Sequence, residues 1–187
     1  KLINIDISNL SFYHFIEHIE IGGYNAMLSR TGYTGELGFE IYVSLESIEP
    51  LWKKLIEMGR LDGLIPAGLG CRDTLRLEMN YLLYGNDINQ KISPIEAGLS
   101  WITKLDKDNF IGKHKIIQKN NSINRYLFSF IMLDRAIPRH GYNIIYKDEL
   151  VGNVTSGTMS PSLNQGIGMG YIDKTCYVIG KKINIDV

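Results

Sequence analysis

A chain of 187 residues with 44% apolar and 10% aromatic side chains can bury one large core or two small ones. Its 20 Lys and Arg balance 20 Asp and Glu, so it lacks the field that gathers nucleic acid or anionic membrane, and those partners are not expected. Two distant cysteines, Cys71 and Cys176, make neither a disulfide scaffold nor a CxxC zinc site and fit a reducing compartment, and no run reaches the roughly 18 to 20 apolar residues of a membrane helix.

The opening KLINIDISNLSFYHF has no signal-peptide core, and a start at Lys1 reads as a processed or excised piece of something longer. Leu2 to Ile7 alternates as a strand does, SNLS is a turn, and Phe12 to Ile21 is a mixed aromatic and charged segment ahead of Gly22-Gly23. That segment holds His14-Phe-Ile-Glu17-His18, an H-x-x-E-H pattern that binds zinc only when a helix sets both imidazoles on one face. Its surroundings suit a strand as readily as a helix, and no downstream Glu lies in a ligand-bearing helix, so no metal is expected.

Tyr24 to Ser29 and Gly38 to Val43 read as strands of a hairpin around the turn Thr31 to Leu37. Period two puts Gly38, Glu40 and Tyr42 on one face and Phe39, Ile41 and Val43 on the other. A Glu40 carboxylate taken out of water there would lose several kcal/mol or more without a donor from the chain or a ligand. Ser47 to Met58 has helical apolar spacing, with Pro50 in its first turn and Gly59 as a stop, and its apolar face should cover the sheet. Leu69 to Asn80 is a second helix carrying Arg72, Asp73, Arg76 and Glu78; Ser93 to Gly98 is a short element, and Trp101 to Leu105 is a candidate strand.

The polar segment Lys113 to Asn124 is the natural boundary. Beyond it RYLFSFIML, NIIYK, ELVGNVTS, GMGYI and KKINIDV are short β-like runs, as of a small barrel or sandwich. Gly166, Gly168 and Gly170 do not follow the dinucleotide order G-x-G-x-x-G and read as a turn into a strand. The fold class is α+β, a mixed α/β region over residues 1–112 followed by an all-β domain over residues 113–187.

Glu40 and Arg72 are the pair with the most chemical promise. They can form a salt bridge between strand and helix, or recognise a planar heterocycle: a carboxylate accepts two hydrogen bonds from an edge such as the 2-amino-pyrimidinone side of a pterin, and a guanidinium donates to a carbonyl or carboxylate. Tyr33, Tyr81, Tyr84 and Trp101 lie near these segments and can sandwich a ring, or serve as core and surface. Cys71 is read as packing, and no G-x-S-x-G elbow signals a serine hydrolase.

TGYTGELGFEIYV from Thr31, GLGCRDTLRLEMNYLLYGNDI from Gly68, SPIEAGLSWI from Ser93 and GNVTSGTMSPSLNQGIGMGYI from Gly152 together resemble the T-protein family of the glycine cleavage system, the tetrahydrofolate-dependent aminomethyltransferases. The resemblance implies a folate-binding region followed by a C-terminal β-barrel, and a reaction in which the methylene of an aminomethyl group on the lipoyl arm of H-protein passes to tetrahydrofolate with release of ammonia. It assigns pterin binding to Glu40 and Arg72, with Tyr33, Tyr81 and Trp101 as aromatic contributors. Leu37 replaces an acidic residue common in the first motif, outside the positions carried over. The family's catalytic Asp belongs to a half that precedes these segments, so no catalytic residue is assigned and the chain is expected not to run the reaction alone. The resemblance places the protein in the bacterial cytoplasm or the mitochondrial matrix. Folate-binding iron-sulfur assembly proteins and the folate-binding tail of a sarcosine or dimethylglycine dehydrogenase are the related alternatives.

Overall fold

The structure, a computed structural model, describes residues 2–187, which divide into two compact units meeting between Leu75 and Arg76. Among the described residues no helix is long and apolar enough to cross a membrane.

In the first unit, strands β1 (Phe15–Ile21), β2 (Tyr24–Ser29) and β3 (Glu40–Val43) form an antiparallel sheet in the order β1-β2-β3. The two-residue turn between Ile21 and Tyr24 has φ of +61° at Gly22 and +91° at Gly23, the paired positive values that a tight hairpin requires and glycine adopts freely. Ile19, Ile21, Ala26 and Leu28 point to one face and meet Leu51 of helix α1 (Leu45–Gly59), with Ile41, Val43 and Leu55 packed around them. Burying one such aliphatic side chain contributes roughly 1.5 to 3 kcal/mol, so Leu51 and Leu55 hold α1 on the sheet, while Ile48, Trp52 and Met58 of the same helix stay exposed. The helix starts two residues earlier than expected, which moves Pro50 out of the first turn.

Leu2 to Ile7 is not a strand. Its Ile3 and Ile7 pack on the same core, and the Leu2 carbonyl accepts the Gly22 N–H at 2.7 Å, but among the described residues no neighbouring strand supplies a ladder. Phe12 to Ile21, read as a mixed segment, instead contains β1. His18 therefore lies in a strand and His14 just before it, without the one-face helical geometry that the H-x-x-E-H pattern needs.

In the second unit, strands β4 (Arg125–Ile131), β5 (Asn143–Tyr146), β6 (Glu149–Ser160), β7 (Gln165–Asp173) and β8 (Asn184–Asp186) form an antiparallel sheet in the order β4-β7-β6-β5-β8. Each β-like run beyond Asn124 thus became a strand. The glycines of GIGMGYI are not a turn but lie inside β7, alternating with the buried Ile167, Met169 and Tyr171. Their face is where other groups come close: a Cβ on Gly166 would stand 2.2 Å from the Ala136 carbonyl oxygen, and one on Gly170 2.6 Å from that of Asn153. The opposite face of β7 packs Ile167 and Met169 against Leu77, Leu82 and Leu127, while Ile144, Val151, Val154 and Ile172 form a separate cluster with Phe128 and Phe130.

Helix α2 (Leu69–Glu78) matches its prediction to within two residues. The boundary segment is partly helical, α3 (Lys113–Asn120), entered through Gly112 at φ +91°. Trp101 to Leu105 is a turn rather than a strand, because the Thr103 N–H bonds back to the Leu99 and Ser100 carbonyls at 3.2 and 3.1 Å and is unavailable to a ladder.

Candidate ligand-binding residues

Glu40 opens β3 opposite Ser29, which in turn pairs with Phe15, so the three share the sheet face turned away from α1. Tyr42 follows on the same face, and both Glu40 and Tyr42 are exposed. The alternation holds from Glu40 to Val43, the strand starting two residues later than read, but the carboxylate is not taken out of water: among the described residues of the first unit nothing covers that face at Glu40, so no burial penalty arises. The Thr31 hydroxyl reaches two groups, the Glu40 carboxylate and, at 2.9 Å, the Ser29 hydroxyl. Among the described residues no ion pair joins Glu40 to Arg72.

Arg72 is exposed on α2, with its guanidinium carbon 4.7 Å from the Tyr33 ring centroid, a cation–π contact worth about 0.5 to 1 kcal/mol at an exposed site. The Gly-rich turn is braced in the same manner by Arg30, 4.4 Å from the Phe39 centroid. Glu40, Arg72 and Tyr33 thus belong to one unit, and the structure joins the last two directly. Tyr81 and Trp101 belong to the second unit. Tyr81 is half-buried, its N–H donating to the Arg76 carbonyl at 2.8 Å, and Trp101 is 68% exposed in its turn.

Neither of two cavities is lined by these five residues. One of about 540 Å³ in the second unit has mixed walls, with Asn86, Lys91 and Arg125 beside Ile92, Leu150 and Val151; the other, of about 750 Å³, runs beside Trp52 and Ile56 of α1. Among the described residues no cluster of three His, Cys, Asp or Glu side chains could hold a metal ion.

Sequence reasoning missed a buried polar network. Arg76 and Asp87, 1% and 0% exposed, form an ion pair of 2.8 Å, and the carboxylate also accepts the Leu83 N–H at 2.8 Å, the Ser156 hydroxyl at 3.0 Å and the Thr155 hydroxyl. By sequence Arg76 is one of four charged residues on α2. No local signal marked it: its neighbours on the same helix face, at i±3 and i±4, are Arg72, Asp73, Met79 and Asn80, only one of them apolar. Close by, the Tyr171 hydroxyl donates to the Asp87 carbonyl at 2.8 Å; burial foremost, and then the Glu96 carboxylate, push its pKa well above the ordinary tyrosine value.

A family model described as the GCVT N-terminal domain matches residues 1–107, and one described as the glycine cleavage T-protein C-terminal barrel domain matches residues 125–187. The chain belongs to the glycine cleavage T-protein family. Within that family it is 47% identical over 188 residues to an aminomethyltransferase of Halothermothrix orenii, covering 100% of this chain and 52% of that protein. It is also 47% identical over 190 residues to an aminomethyltransferase of Bacteroides thetaiotaomicron, covering 100% of this chain and 53% of that protein. The crystal structure of glycine cleavage system aminomethyltransferase T from Bartonella henselae superimposes with a TM-score of 0.79 at 30% identity, over 87% of this chain and 45% of that one. The chain spans about half the length of the curated T-protein relatives it matches.

Proposed function

We propose that this chain supplies the pterin-recognising part of a tetrahydrofolate-dependent aminomethyltransferase of the glycine cleavage system, with a folate-binding region over residues 1–112 and a barrel over residues 113–187. The observation that carries the reading is an exposed carboxylate, Glu40, on an uncovered sheet face of the unit that also presents Arg72 stacked on Tyr33. Two acceptor oxygens answer the two donors of a 2-amino-pyrimidinone edge, and a guanidinium held against a ring is pre-oriented to donate to a carbonyl or carboxylate of the same ligand. Tyr81 and Trp101 are the further aromatic contributors. These groups bind and orient. The reacting nitrogen of the folate must meet the carbon leaving the lipoyl sulfur with water kept away, which is a matter of placement, and no residue of this chain is assigned the proton transfer.

Membership of a family whose relatives are named aminomethyltransferases supports the reaction class. The partners are then lipoylated H-protein and tetrahydrofolate, in the cytoplasm of a bacterium or a mitochondrial matrix. The test is reconstitution: this chain joined to the part of the Halothermothrix orenii relative that it does not match, supplied with aminomethyl-loaded H-protein and tetrahydrofolate. Methylene-tetrahydrofolate and ammonia should appear in equal amounts. A folded joined protein that yields neither overturns the reading.

A further inference from the structure

We propose that the buried Arg76–Asp87 pair is a positioning device for the segment Tyr81–Asp87, fixing the placement of Tyr81 for a bound heterocycle; the inference rests on the tetrahydrofolate reading above. Every bond needed for such a role lies within the second unit. Arg76 Nη1 donates to Asp87 Oδ2 at 2.8 Å and to the Tyr81 carbonyl at 3.1 Å, and Nη2 donates to the Ser156 hydroxyl at 2.8 Å. The Tyr81 N–H donates in turn to the Arg76 carbonyl, so Tyr81 is gripped through both of its backbone polar groups by one residue. At the other end the Asp87 carboxylate takes the Leu83 N–H, and the Asp87 carbonyl takes the Tyr171 hydroxyl of β7. Between them the chain turns through Gly85 at φ +96°, with the Asp87 N–H donating to the Leu83 carbonyl at 2.8 Å.

Stability alone is a poor account of this arrangement. Moving two charges to about 1% exposure or less carries a desolvation penalty that their attraction barely offsets, and apolar residues of similar volume do as well or better in comparable interiors. What an apolar pair cannot do is hydrogen-bond two chosen backbone groups, the Tyr81 carbonyl and the Leu83 N–H. The pair specifies where this segment sits, and Tyr81 is the side chain in it that the functional reading uses. Among the described residues no buried side-chain nitrogen or oxygen lacks a partner, so the network is complete as it stands.

The decisive variant is Arg76→Met, Asp87→Leu and Ser156→Ala together, which removes the pair and the hydroxyl that bridges it. Two measurements are made: amide hydrogen exchange on the full chain, and tetrahydrofolate titration on the joined protein described above. The expected result is a retained cooperative melt, faster exchange confined to Leu83 and its neighbours, and affinity lowered about 10-fold, the upper range for losing one aromatic ring contact. A folded variant with unchanged exchange and unchanged affinity overturns the proposal. Arg76→Lys guards against failure to fold, because an ammonium keeps the charge but cannot serve Asp87, Ser156 and the Tyr81 carbonyl in one plane; it should fold and lose about 5-fold in affinity. Loss of the folded state in both variants would make the pair a folding requirement and overturn the positioning role. If the unmodified joined protein does not bind tetrahydrofolate, the functional reading fails instead, and the exchange pattern still decides the clamp.

Discussion

Glu40→Gln separates binding from folding more sharply than truncation does. In the free chain the carboxylate is exposed and its hydrogen-bond donor among the described groups is the Thr31 hydroxyl, which a glutamine carbonyl oxygen accepts equally well. Folding free energy should therefore move by less than about 0.5 kcal/mol, a change in melting temperature of under about 2 °C for a chain of this size. Toward a pterin edge the outcome differs. A carboxylate sets two acceptors against two donors, whereas glutamine sets one acceptor and one N–H against them, so a charge-assisted bond is replaced by a donor facing a donor. The loss should be about 1.5 to 3 kcal/mol, or roughly 10- to 150-fold in Kd. Differential scanning calorimetry reads the first number, and isothermal titration with tetrahydrofolate on the joined protein reads the second. Equal affinity at equal melting temperature removes Glu40 from the ligand. A melting temperature that falls in proportion to the affinity assigns Glu40 to the fold.

Gly157→Ala should destabilise the second unit by about 1 to 3 kcal/mol, because the new Cβ would stand 2.3 Å from the buried Pro138 carbonyl oxygen; the urea midpoint measures it, and an unshifted midpoint refutes the close approach. Glu78 accepts the Ser160 and Ser162 hydroxyls and the Ser162 N–H, and these bonds, Ser160 foremost, hold its pKa below the ordinary glutamate value of about 4.3. A depressed folded-state pKa contributes stability that is fully present above the unfolded value and is lost as pH falls through the folded one. Melts of Glu78→Gln should accordingly lie below those of the parent at pH 7 and converge with them as pH falls through the depressed folded-state pKa; a gap that stays constant with pH refutes the assignment.

The sequence disclosed the elements whose own apolar pattern is regular, β3 with its near partner β2 and β4 with its remote partner β7 alike. Ile41 and Val43 alternate with Glu40 and Tyr42 and so did the strand they occupy, and the stripe through Leu51 and Leu55 placed α1 on its sheet. Alternation alone did not make Leu2 to Ile7 a strand, since a strand exists only where a neighbour accepts its ladder. The β7 glycines misled because their cause is remote: the groups they make room for come from Phe130 of β4, from β6 and from the segment around Ala136. Of the candidate residues, Tyr33 and Arg72 meet as a pair, and the face on which Glu40 sits was readable from period two. Its exposure was not, because burial depends on what covers a face rather than on which face it is. Arg76 and Ser156, 80 residues apart, meet only after the sheet has formed around Asp87, and no local pattern announces such a meeting.

The Thr31 hydroxyl has one proton and two acceptors, Glu40 and Ser29. A ligand that occupies both Glu40 oxygens does not strand that proton, for a rotation about one bond turns it to the Ser29 oxygen already 2.9 Å away. Release of the carboxylate is thus an exchange of partners rather than a broken bond. A valine at position 31 would leave Glu40 without that hydroxyl and remove the exchange; in the proposed pterin-binding reading the threonine would be a placeholder that keeps the carboxylate oriented until a ligand takes its place.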